Sequence, residues 1–416
     1  MNKDTRKPSL LGGIMIITGT TVGAGMLANP TSMAGVWFIG SVILLVYTWF
    51  CMMTSGLMIL EANLHYPKGA SFPTIVKDLL GDHWNWITGL SIAFVLYILT
   101  YAYVTSGGGM TQALLQHLFP TLPIPRSIGS LIFCFGLGFF VWISTKAVDR
   151  FNVILLGGMV IAFLYSSLGL IASAKATILF NTLSPANEHY YPYILGALPV
   201  CLVSFGFHGN VPSLVKYYRR DGKRVAKVIF LGTGLSLVIY LLWQLAVQGN
   251  LPRADFAPVI AKNGDIHALL TALSNMIKVE TLTIALRFFA YMAIASSFLG
   301  VTLGLFDYIS DLFKLSDNTK RERIKICMIS FLPPLILSLL FPYGFVMAIG
   351  YAGLAATVWT GIVPALLVKA ARKKFNPPRY QVYGGNFIIY FIIVFAMLNI
   401  FAQIAQQFHL LPIFTG

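Results

Sequence analysis

Charged residues are scarce in this chain of 416 residues: Asp, Glu, Lys and Arg make up 10% of it, while hydrophobic residues make up 57%. A soluble domain carries about 25% charged residues, which cover its surface. With so few charges this chain cannot build a polar shell around its apolar residues, so much of its surface must face lipid. The composition excludes a soluble protein and predicts a polytopic integral membrane protein.

Acidic residues are the scarcer charged class, with 14 Asp and Glu against 29 Lys and Arg, which gives a net charge of +15. A basic chain can bind nucleic acid, but such proteins carry a basic patch or stripe on one face. Here the basic residues stand in short clusters between apolar runs, as the positive-inside bias of membrane proteins produces. We expect a lipid bilayer around the chain and no nucleic-acid partner.

Patterns typical of enzymes, pumps and channels are also missing. The four cysteines (Cys51, Cys134, Cys201 and Cys327) lie inside apolar runs without metal-ligand spacing, which favours a packing role. The sequence has no HExxH or GxSxG pattern, no GxxxxGK[ST] loop and no channel filter motif. We therefore expect no enzyme activity, no metal, no cofactor and no energy supply from ATP bound by this chain.

Eleven apolar runs are long enough to cross a membrane as helices. Open sheet edges cannot exist in hydrocarbon, and these runs are too long for barrel strands, so the predicted fold is all-α with 11 transmembrane helices. Residues 71–80 are predicted to form a short interfacial helix, and 255–276 to cap an outer loop. The predicted spans are residues 9–33, 36–63, 84–119, 127–145, 150–174, 193–218, 225–249, 281–312, 324–341, 344–368 and 386–407.

The basic residues predict the orientation of these spans. Of the 29 Lys and Arg residues, 23 fall in alternate connections on one side and 5 on the other, with Arg287 inside the eighth span. The basic-rich side is cytoplasmic, so we expect a cytoplasmic N-terminus and a periplasmic C-terminus. The basic start of the chain, with Lys3, Arg6 and Lys7, precedes the first apolar run without a signal-peptide cleavage site, and predicts a retained first span.

Two predicted spans carry residues that break helices. The first contains GTTVGAGML from Gly19, and the sixth contains SFGFHGNVP from Ser204. Glycine costs about 1 kcal/mol inside a helix and proline about 3 kcal/mol. Interrupted spans at matching positions of two halves point to the binding site of a transporter, although glycines can also serve only close helix packing. Breaks in spans one and six fit a five-plus-five inverted repeat.

Several stretches of the chain resemble the aromatic amino-acid permeases of bacteria, nearly end to end. Within that family the chain is most similar to the tryptophan-specific members. These stretches are SLLGGIMIITGTTVGAGMLANP, TWFCMMTSGLMILEANL, LSIAFVLYILTYAY, SFGFHGNVPSLVKYY, ASSFLGVTLGLFDYISDLF and AIGYAGLAATVW.

The resemblance implies membership of the amino acid–polyamine–organocation superfamily. It implies one transporter domain with a LeuT-like core, whose repeats are residues 9–174 and 193–368, plus an extra C-terminal helix at 386–407. It also implies import of L-tryptophan across the bacterial inner membrane by proton symport with alternating access, by a monomer. Tyrosine, general aromatic or indole substrates stay open, as does coupling to sodium.

A free amino acid brings a carboxylate and an ammonium into a low-dielectric site, and both need partners. Broken helices supply them without charged side chains. The N–H groups from Gly23 to Met26, with Gly25 among them, open the outer half of the first span and can bind the carboxylate. Carbonyls freed at Gly19, Thr20 and Thr21, and from Ser204 to Gly206, can bind the ammonium.

Aromatic and amide side chains near the breaks are candidates for contact with the substrate: a tyrosine can bind its carboxylate or wall the pocket, and a phenylalanine or asparagine can contact its ring. They can also serve packing alone, or, for Asn210, only cap the second half-helix. The candidates are Tyr101 and Tyr103 on the third span, and Phe205, Phe207 and Asn210 at the sixth-span break.

His208 lies well inside a span, where an ionisable residue is a candidate for function. It can carry the coupling proton, contact the substrate, or brace the broken backbone as a neutral ring. Further candidates lie elsewhere: Glu61 and Asp307 as proton carriers or inner-gate partners, and Ser296 and Ser297 because sodium-coupled members of this fold use hydroxyls there. Some proton-coupled relatives place a lysine in the fifth span, but residues 151–173 contain none. The identity of the coupling ion is therefore inferred from the resemblance and not from particular residues.

Overall fold

The computed structural model describes residues 8–182, 188–277, 279–315, 319–376 and 380–416. Lys3, Arg6 and Lys7, which were used to predict the retained first span, lie outside these residues, as do Lys278 and Arg379 from the charge count. The described chain is helical and contains no strand. The predicted all-α fold is confirmed.

Ten helices in the described residues are long and apolar enough to cross a membrane, and one bent helix pair at the start makes eleven spans, as predicted. We number them in chain order, and use "inner" and "outer" for the predicted cytoplasmic and periplasmic ends. The spans consist of the helices Leu10–Thr21 with Ala24–Ser32, Trp37–Asn63, Asp82–Leu118, Arg126–Ile143, Thr145–Ser173, Ile194–Ser204 with Val211–Tyr217, Gly222–Gln248, Glu280–Phe313, Lys320–Leu340, Phe345–Thr357 with Val363–Lys374, and Gly385–Gln407.

Two helices begin several residues before the predicted apolar run, each at a side chain that caps its first turn. The fifth span begins at Thr145 instead of 150, because the Ser144 side chain accepts a hydrogen bond from the Ala147 backbone at 3.1 Å. The seventh begins at Gly222 instead of 225, where Asp221 caps the first turn. Both extensions place polar residues in the first helical turn, which apolar runs alone do not reveal.

Short helices lie where the polar connections were predicted to fold. Phe72–Leu80 follows the second span, capped by Ser71. Ile266–Met276 follows the seventh span, and the Asp265 side chain caps it by accepting a hydrogen bond from Ala268 N at 3.0 Å. The helix predicted at 71–80 is present, and the 255–276 segment, predicted only to cap an outer loop, also contains a helix.

Both predicted interruptions are present. The first span bends by 52° between its two helices, and only Val22 and Gly23 separate them. In the sixth span, residues 205–207 are not helical and a 3₁₀ turn, His208–Asn210, follows. The tenth span, which packs near this turn, has a π-helical stretch at Val358–Ile362. The five-plus-five symmetry of the two halves stays a prediction.

The first and last residues that the structure describes, Pro8 and Gly416, lie at opposite ends of the bundle. At the inner end, the Arg224 guanidinium donates a hydrogen bond to the Pro8 carbonyl at 2.5 Å. At the outer end, the Arg253 guanidinium lies 4.2 Å from the centre of the Phe414 ring and donates to the Gly35 carbonyl at 2.9 Å. This separation agrees with an odd number of spans.

Large apolar side chains cover the outside of the bundle. On the fifth span, Ile154 is 69% exposed, Ile161 73% and Leu168 63%. These side chains repeat every seven residues along one face, and a soluble protein would bury such a row. They mark a surface that faces lipid.

Candidate functional site

The first-span break presents a helix N-terminus in the middle of the bundle. Gly23 has an extended backbone, and the outer half of the span begins at Ala24. The Ala24 N–H donates to the Ser297 hydroxyl on the eighth span at 2.8 Å. The first turn of a helix has N–H groups without partners inside the helix, and it attracts negative charge. The break therefore has a helix N-terminus of the kind that can bind a carboxylate, and that role stays a prediction.

Gly23 lies directly against the Ser297 hydroxyl. A Cβ atom at Gly23 would lie 2.5 Å from the Ser297 hydroxyl oxygen, so that hydroxyl would have to shift from its present position beside the Ala24 N–H. At Gly25 a Cβ atom would lie 3.7 Å from the Ser204 Cα, an ordinary contact distance. At Gly19, which is still helical, nothing lies within 4 Å. Of the three predicted glycines, Gly23 is the one where an added Cβ atom would meet a group at the break, the Ser297 hydroxyl.

The two breaks contact each other through Ser204, the last residue of the outer half of the sixth span. Its hydroxyl lies 3.0 Å from Asn29 Oδ1 and 3.3 Å from the Gly25 carbonyl oxygen. Ser204 and Asn29 are both buried. These contacts join the outer halves of the first and sixth spans across the middle of the site.

Tyr240 on the seventh span joins the two breaks from the other side, and sequence analysis missed it. Its hydroxyl lies 2.6 Å from the Thr21 carbonyl and 2.5 Å from the Ser204 carbonyl. Those carbonyls belong to the last helical residue before each break. Its ring packs edge-on against Phe205, with ring centres 5.0 Å apart. The predicted ammonium partners at Thr21 and Ser204 therefore converge on one hydroxyl group.

A spacing pattern could have identified Tyr240. The seventh span carries polar residues at every fourth position, namely Ser236, Tyr240, Gln244 and Gln248, and all four are buried. Residues four apart share one face of a helix. A buried polar face in an apolar span is a candidate for function. Ser236 also contacts the Thr21 hydroxyl.

The two tyrosines of the third span contact different parts of the protein. The Tyr103 ring is buried, and its hydroxyl interacts with the Ser297 side chain, next to the first-span break. The Tyr101 hydroxyl donates to the Phe341 carbonyl at 2.9 Å, in the connection between spans nine and ten. Tyr103 belongs to the site, whereas Tyr101 holds the third span to that connection.

His208 faces away from the first-span break. It is 1% exposed, and its ring lies 4.7 Å from the Phe207 ring and 6.2 Å from the Trp359 ring of the tenth span. The Met52 backbone lies close to it, but neither ring nitrogen makes a hydrogen bond of normal geometry with a described residue. A Cβ atom at Gly56 would overlap the Phe207 ring, so His208 and Phe207 both pack against the second span.

Asn210 lies on the side of the sixth-span break that faces the first span. Its Nδ2 donates to the Thr20 hydroxyl at 2.6 Å, and the Thr20 hydroxyl in turn donates to the Ile16 carbonyl at 2.8 Å. This pair joins the inner half of the first span to the 3₁₀ turn. Thr20 is exposed there, so the pair is accessible from the surface.

Glu61 lies at the inner end in a clamp with Arg372 of the tenth span. Arg372 Nε lies 2.6 Å from Glu61 Oε1 and Nη2 lies 2.9 Å from Oε2, while the Val382 N–H donates to Oε2 at 2.7 Å. The Glu61 side chain is fully buried. A bidentate pair with a third donor holds a carboxylate in one geometry. An ion pair between spans is what the inner-gate alternative requires, although Arg372 lies on a helix and not in a loop, and the gate role stays a prediction.

Of the other coupling candidates, one serine lies at the first-span break and the rest do not. Ser296 donates to the Ala293 carbonyl of its own helix at 3.1 Å, whereas Ser297 contacts the first-span break. Asp307 is exposed toward the inner end of the eighth span. No group of three metal-binding side chains occurs among the residues that the structure describes. The site is therefore built from backbone groups, hydroxyls and aromatic rings.

Comparisons of the sequence with known proteins show the family of the chain. The sequence profile of the tryptophan/tyrosine permease family matches residues 6–403. The chain is 67% identical over 415 residues to the tryptophan-specific transport protein of Haemophilus influenzae, covering 99% of both chains. It is 49% identical over 409 residues to the protein of the same name from Shigella flexneri, covering 98% of this chain and 97% of that one. It is 41% identical over 411 residues to the tyrosine permease of Enterobacter agglomerans, covering 98% of both.

Proposed function

This chain belongs to the tryptophan/tyrosine permease family, and we propose that it imports L-tryptophan across the bacterial inner membrane by proton symport with alternating access. As a permease it is a transporter of aromatic amino acids in a bacterial membrane, and not an enzyme. Tryptophan is the proposed substrate because the more similar relatives carry that name, and the tyrosine permease is less similar. Tyrosine is the alternative substrate.

The observation that carries the proposal is the convergence of the Thr21 and Ser204 carbonyls on the Tyr240 hydroxyl. A hydroxyl group has one proton to donate, so two buried carbonyls share one donor. An ammonium group has three donors and a positive charge. We place the substrate ammonium at these two carbonyls, where it supplies the missing donor.

The substrate carboxylate then lies at the start of the outer half of the first span. The Gly25 N–H, the helix dipole and the Ser297 hydroxyl are the groups that would bind it. A side chain at Gly23 would displace the Ser297 hydroxyl from this position. In this pose the aromatic ring packs beside Phe205 and Tyr103, both of which are buried.

Proton coupling is supported by the resemblance of the chain to proton-coupled permeases. His208, Glu61 and Asp307 stay the candidates for the proton carrier. Ser297 is the residue that favours sodium as the alternative ion, because its hydroxyl oxygen lies at the first-span break. Both breaks and their partners belong to one chain, which supports transport by a monomer.

Uptake of labelled tryptophan into proteoliposomes tests the function. We expect accumulation under an inward proton gradient, none under a sodium gradient alone, and its loss when a protonophore is added. Unlabelled tryptophan should compete more strongly than tyrosine. Accumulation driven by sodium alone would overturn the coupling ion, and stronger competition by tyrosine would overturn the substrate.

Orientation can be tested in intact cells. A single cysteine at Thr415, in a background without Cys51, Cys134, Cys201 and Cys327, should react with a membrane-impermeant reagent added from the periplasmic side. The expectation follows from the 23-to-5 distribution of basic residues. Labelling from the cytoplasmic side alone would contradict the predicted periplasmic C-terminus.

A further inference from the structure

Basic residues are concentrated at the inner end of the bundle where the sixth span passes into the seventh. Between positions 216 and 227 there are six of them and one acidic residue, Asp221. The connection consists of residues 218–221, and it turns at Arg219 and Arg220, whose left-handed backbones have φ values of 53° and 65°. This short turn keeps the basic residues of both spans together. They are Lys216, Arg219, Arg220, Lys223, Arg224 and Lys227.

Some of these charged groups serve the fold, and others have no partner. Arg220 and Arg224 donate hydrogen bonds to backbone carbonyls of neighbouring segments. The Asp221 carboxylate accepts a hydrogen bond from the Arg224 N–H at 3.2 Å and caps the seventh span. Three further cations are exposed and form no ion pair with another described residue, namely Lys216, Lys223 and Lys227.

Lys227 lies at the level of the lipid headgroups. The seventh-span helix has 27 residues, so it is about 40 Å long, whereas the hydrocarbon core of a bilayer is about 30 Å thick. Residues 228–248 contain no charged side chain and extend about 31 Å, which matches that core. Lys223 and Lys227 therefore lie just outside it. Tyr217, at the inner end of the sixth span, is 46% exposed, as is typical of tyrosines at a membrane interface.

The helix face that carries these two lysines continues into the membrane as an exposed apolar row. Residues four apart share one face of a helix, and this face runs from Lys223 and Lys227 to Leu231 and Leu235. Leu231 is 37% exposed, Leu235 40% and Val238, one turn further, 51%. From Lys227 to Val238 the helix rises about 16 Å, close to the hydrocarbon depth of one leaflet, about 15 Å. We call these five residues the inner lipid face.

The fifth span has a similar arrangement with a different charge. Lys146 and Arg150 are four residues apart near its inner start, and the exposed row that begins at Ile154 follows them. Asp149 lies between the two basic residues and is exposed as well. A neighbouring carboxylate offsets positive charge within the Debye length, about 8–10 Å. The inner lipid face is therefore the more positive of the two faces.

We propose that the inner lipid face binds one anionic phospholipid of the inner leaflet. Its phosphate lies between the ammonium groups of Lys223 and Lys227, and an acyl chain follows the apolar row. Basic clusters next to a membrane-spanning helix attract anionic headgroups, and Lys216 adds to the positive charge from the sixth span. A zwitterionic headgroup gains less, because its own cation meets the same lysines. The lipid is a ligand in addition to the transported substrate.

Native mass spectrometry of the protein in detergent tests this site, with dioleoyl phosphatidylglycerol and dioleoyl phosphatidylcholine as probes. The first phosphatidylglycerol should bind at least about tenfold more tightly than the first phosphatidylcholine, since attraction to each basic residue contributes roughly a factor of five. Replacing both lysines, Lys223→Gln with Lys227→Gln, should remove this preference. The pair Lys223→Arg with Lys227→Arg should keep it.

Lys146→Gln with Arg150→Gln is the matched control. It removes two positive charges with the same spacing, also at the inner start of a span, and should keep the preference for phosphatidylglycerol. Equal loss in the two glutamine pairs would overturn the inference, because the total charge of the protein would then explain the binding. An unmodified protein without the preference would overturn it as well. Size-exclusion chromatography checks that each variant is folded.

Inorganic phosphate distinguishes a lipid site from a simple anion site. At constant ionic strength it should not displace phosphatidylglycerol, because it has no acyl chain to pack on Leu231 and Leu235. Displacement by inorganic phosphate would overturn the assignment to a lipid. None of these measurements needs transport, so a failure to take up tryptophan would not affect this inference, and loss of the lipid preference would not affect the proposed function.

Discussion

Spans that are distant in sequence are joined in the middle of the bundle and at its inner end, and the groups that join them differ between the two regions. In the middle, the Tyr240 hydroxyl joins the Thr21 and Ser204 carbonyls without any charged side chain. At the inner end, the buried Glu61 carboxylate joins Arg372 and the Val382 N–H.

The difference follows from what each region must do. A zwitterionic substrate brings its own charges, so a site of backbone groups can accept it and release it without leaving a buried charge unpaired. A charged clamp is strong only while both partners are in place, and removing one partner costs several kcal/mol. We therefore expect variants in the middle to change transport more than stability, and variants at the inner end to do the reverse.

The largest effect on transport is expected at Gly23. Gly23→Val should reduce tryptophan uptake at least about 100-fold, as misplacement of about 1 Å can do, because its side chain would overlap the Ser297 hydroxyl. Size-exclusion chromatography should still show a folded protein. Gly157→Val is the control, since nothing lies within 4 Å of a Cβ atom at Gly157. Retained tryptophan affinity in Gly23→Val would move the site elsewhere.

The largest effect on stability is expected at Glu61. Glu61→Gln should lower the free energy of unfolding by about 3 kcal/mol, since it breaks a buried ion pair. Denaturant unfolding in detergent measures this. Asp82→Asn, in an exposed pair with Lys77, should change the stability little. If Glu61→Gln kept its stability and lost only proton-driven accumulation, Glu61 would be a proton carrier rather than a clamp.

Tyr240→Phe should raise the KM for tryptophan about tenfold. The variant removes the hydroxyl that orders the two carbonyls, and one hydrogen bond contributes about 0.5–1.5 kcal/mol, where 1.4 kcal/mol is tenfold. Tyr97→Phe is the matched control, because the Tyr97 hydroxyl donates to the Ile329 carbonyl at 3.0 Å, away from the breaks. Equal KM values for the two variants would remove Tyr240 from the site.

His208→Gln should have a smaller effect, and it separates coupling from packing. Because His208 lies between Phe207 and Trp359, we expect proton-driven accumulation and tryptophan exchange to fall by the same factor at subsaturating substrate. Exchange needs only binding and alternating access, whereas accumulation also needs a proton carrier. Loss of accumulation with normal exchange would instead make His208 that carrier.

The smallest effect is expected from the exposed inner-end cluster. Tyr66 and Lys374 both donate to Asp78 Oδ2, and the Tyr66 hydrogen bond, followed by Lys374, lowers the pKa of Asp78. A lowered pKa contributes stability above the usual pKa, about 3.9, which is lost as pH falls through the lower folded value. The melting temperature of Asp78→Asn should therefore lie slightly below that of the unmodified protein at pH 7 and approach it near pH 3. A constant difference across that range would exclude the titration of Asp78.

Much of the architecture could be predicted from local sequence. Each span is an apolar run of sufficient length, and hydrocarbon forces such a run to form a helix whatever its neighbours are. The breaks were also predictable, because glycine and proline weaken a helix where they stand. Ser144 and Asp221 moved two boundaries by a few residues, since capping depends on side-chain geometry at one position.

The choice between neighbouring candidates required the tertiary structure. Ser296 and Ser297 are adjacent in sequence, yet only Ser297 contacts the Ala24 N–H. Tyr103 reaches that contact, while Tyr101 binds the Phe341 carbonyl. Consecutive residues on a helix point about 100° apart, and only packing determines which of them faces the site.

The sequence by itself determined that this protein is a helical membrane protein with two broken spans, because hydropathy and helix propensity act over a few residues. The tertiary structure alone decided which groups those breaks bring together. Glu61 and Arg372 are 311 positions apart, and Tyr240 is 219 positions from Thr21. No local pattern determines such pairs, since they depend on how eleven helices pack, and packing is a property of the whole chain.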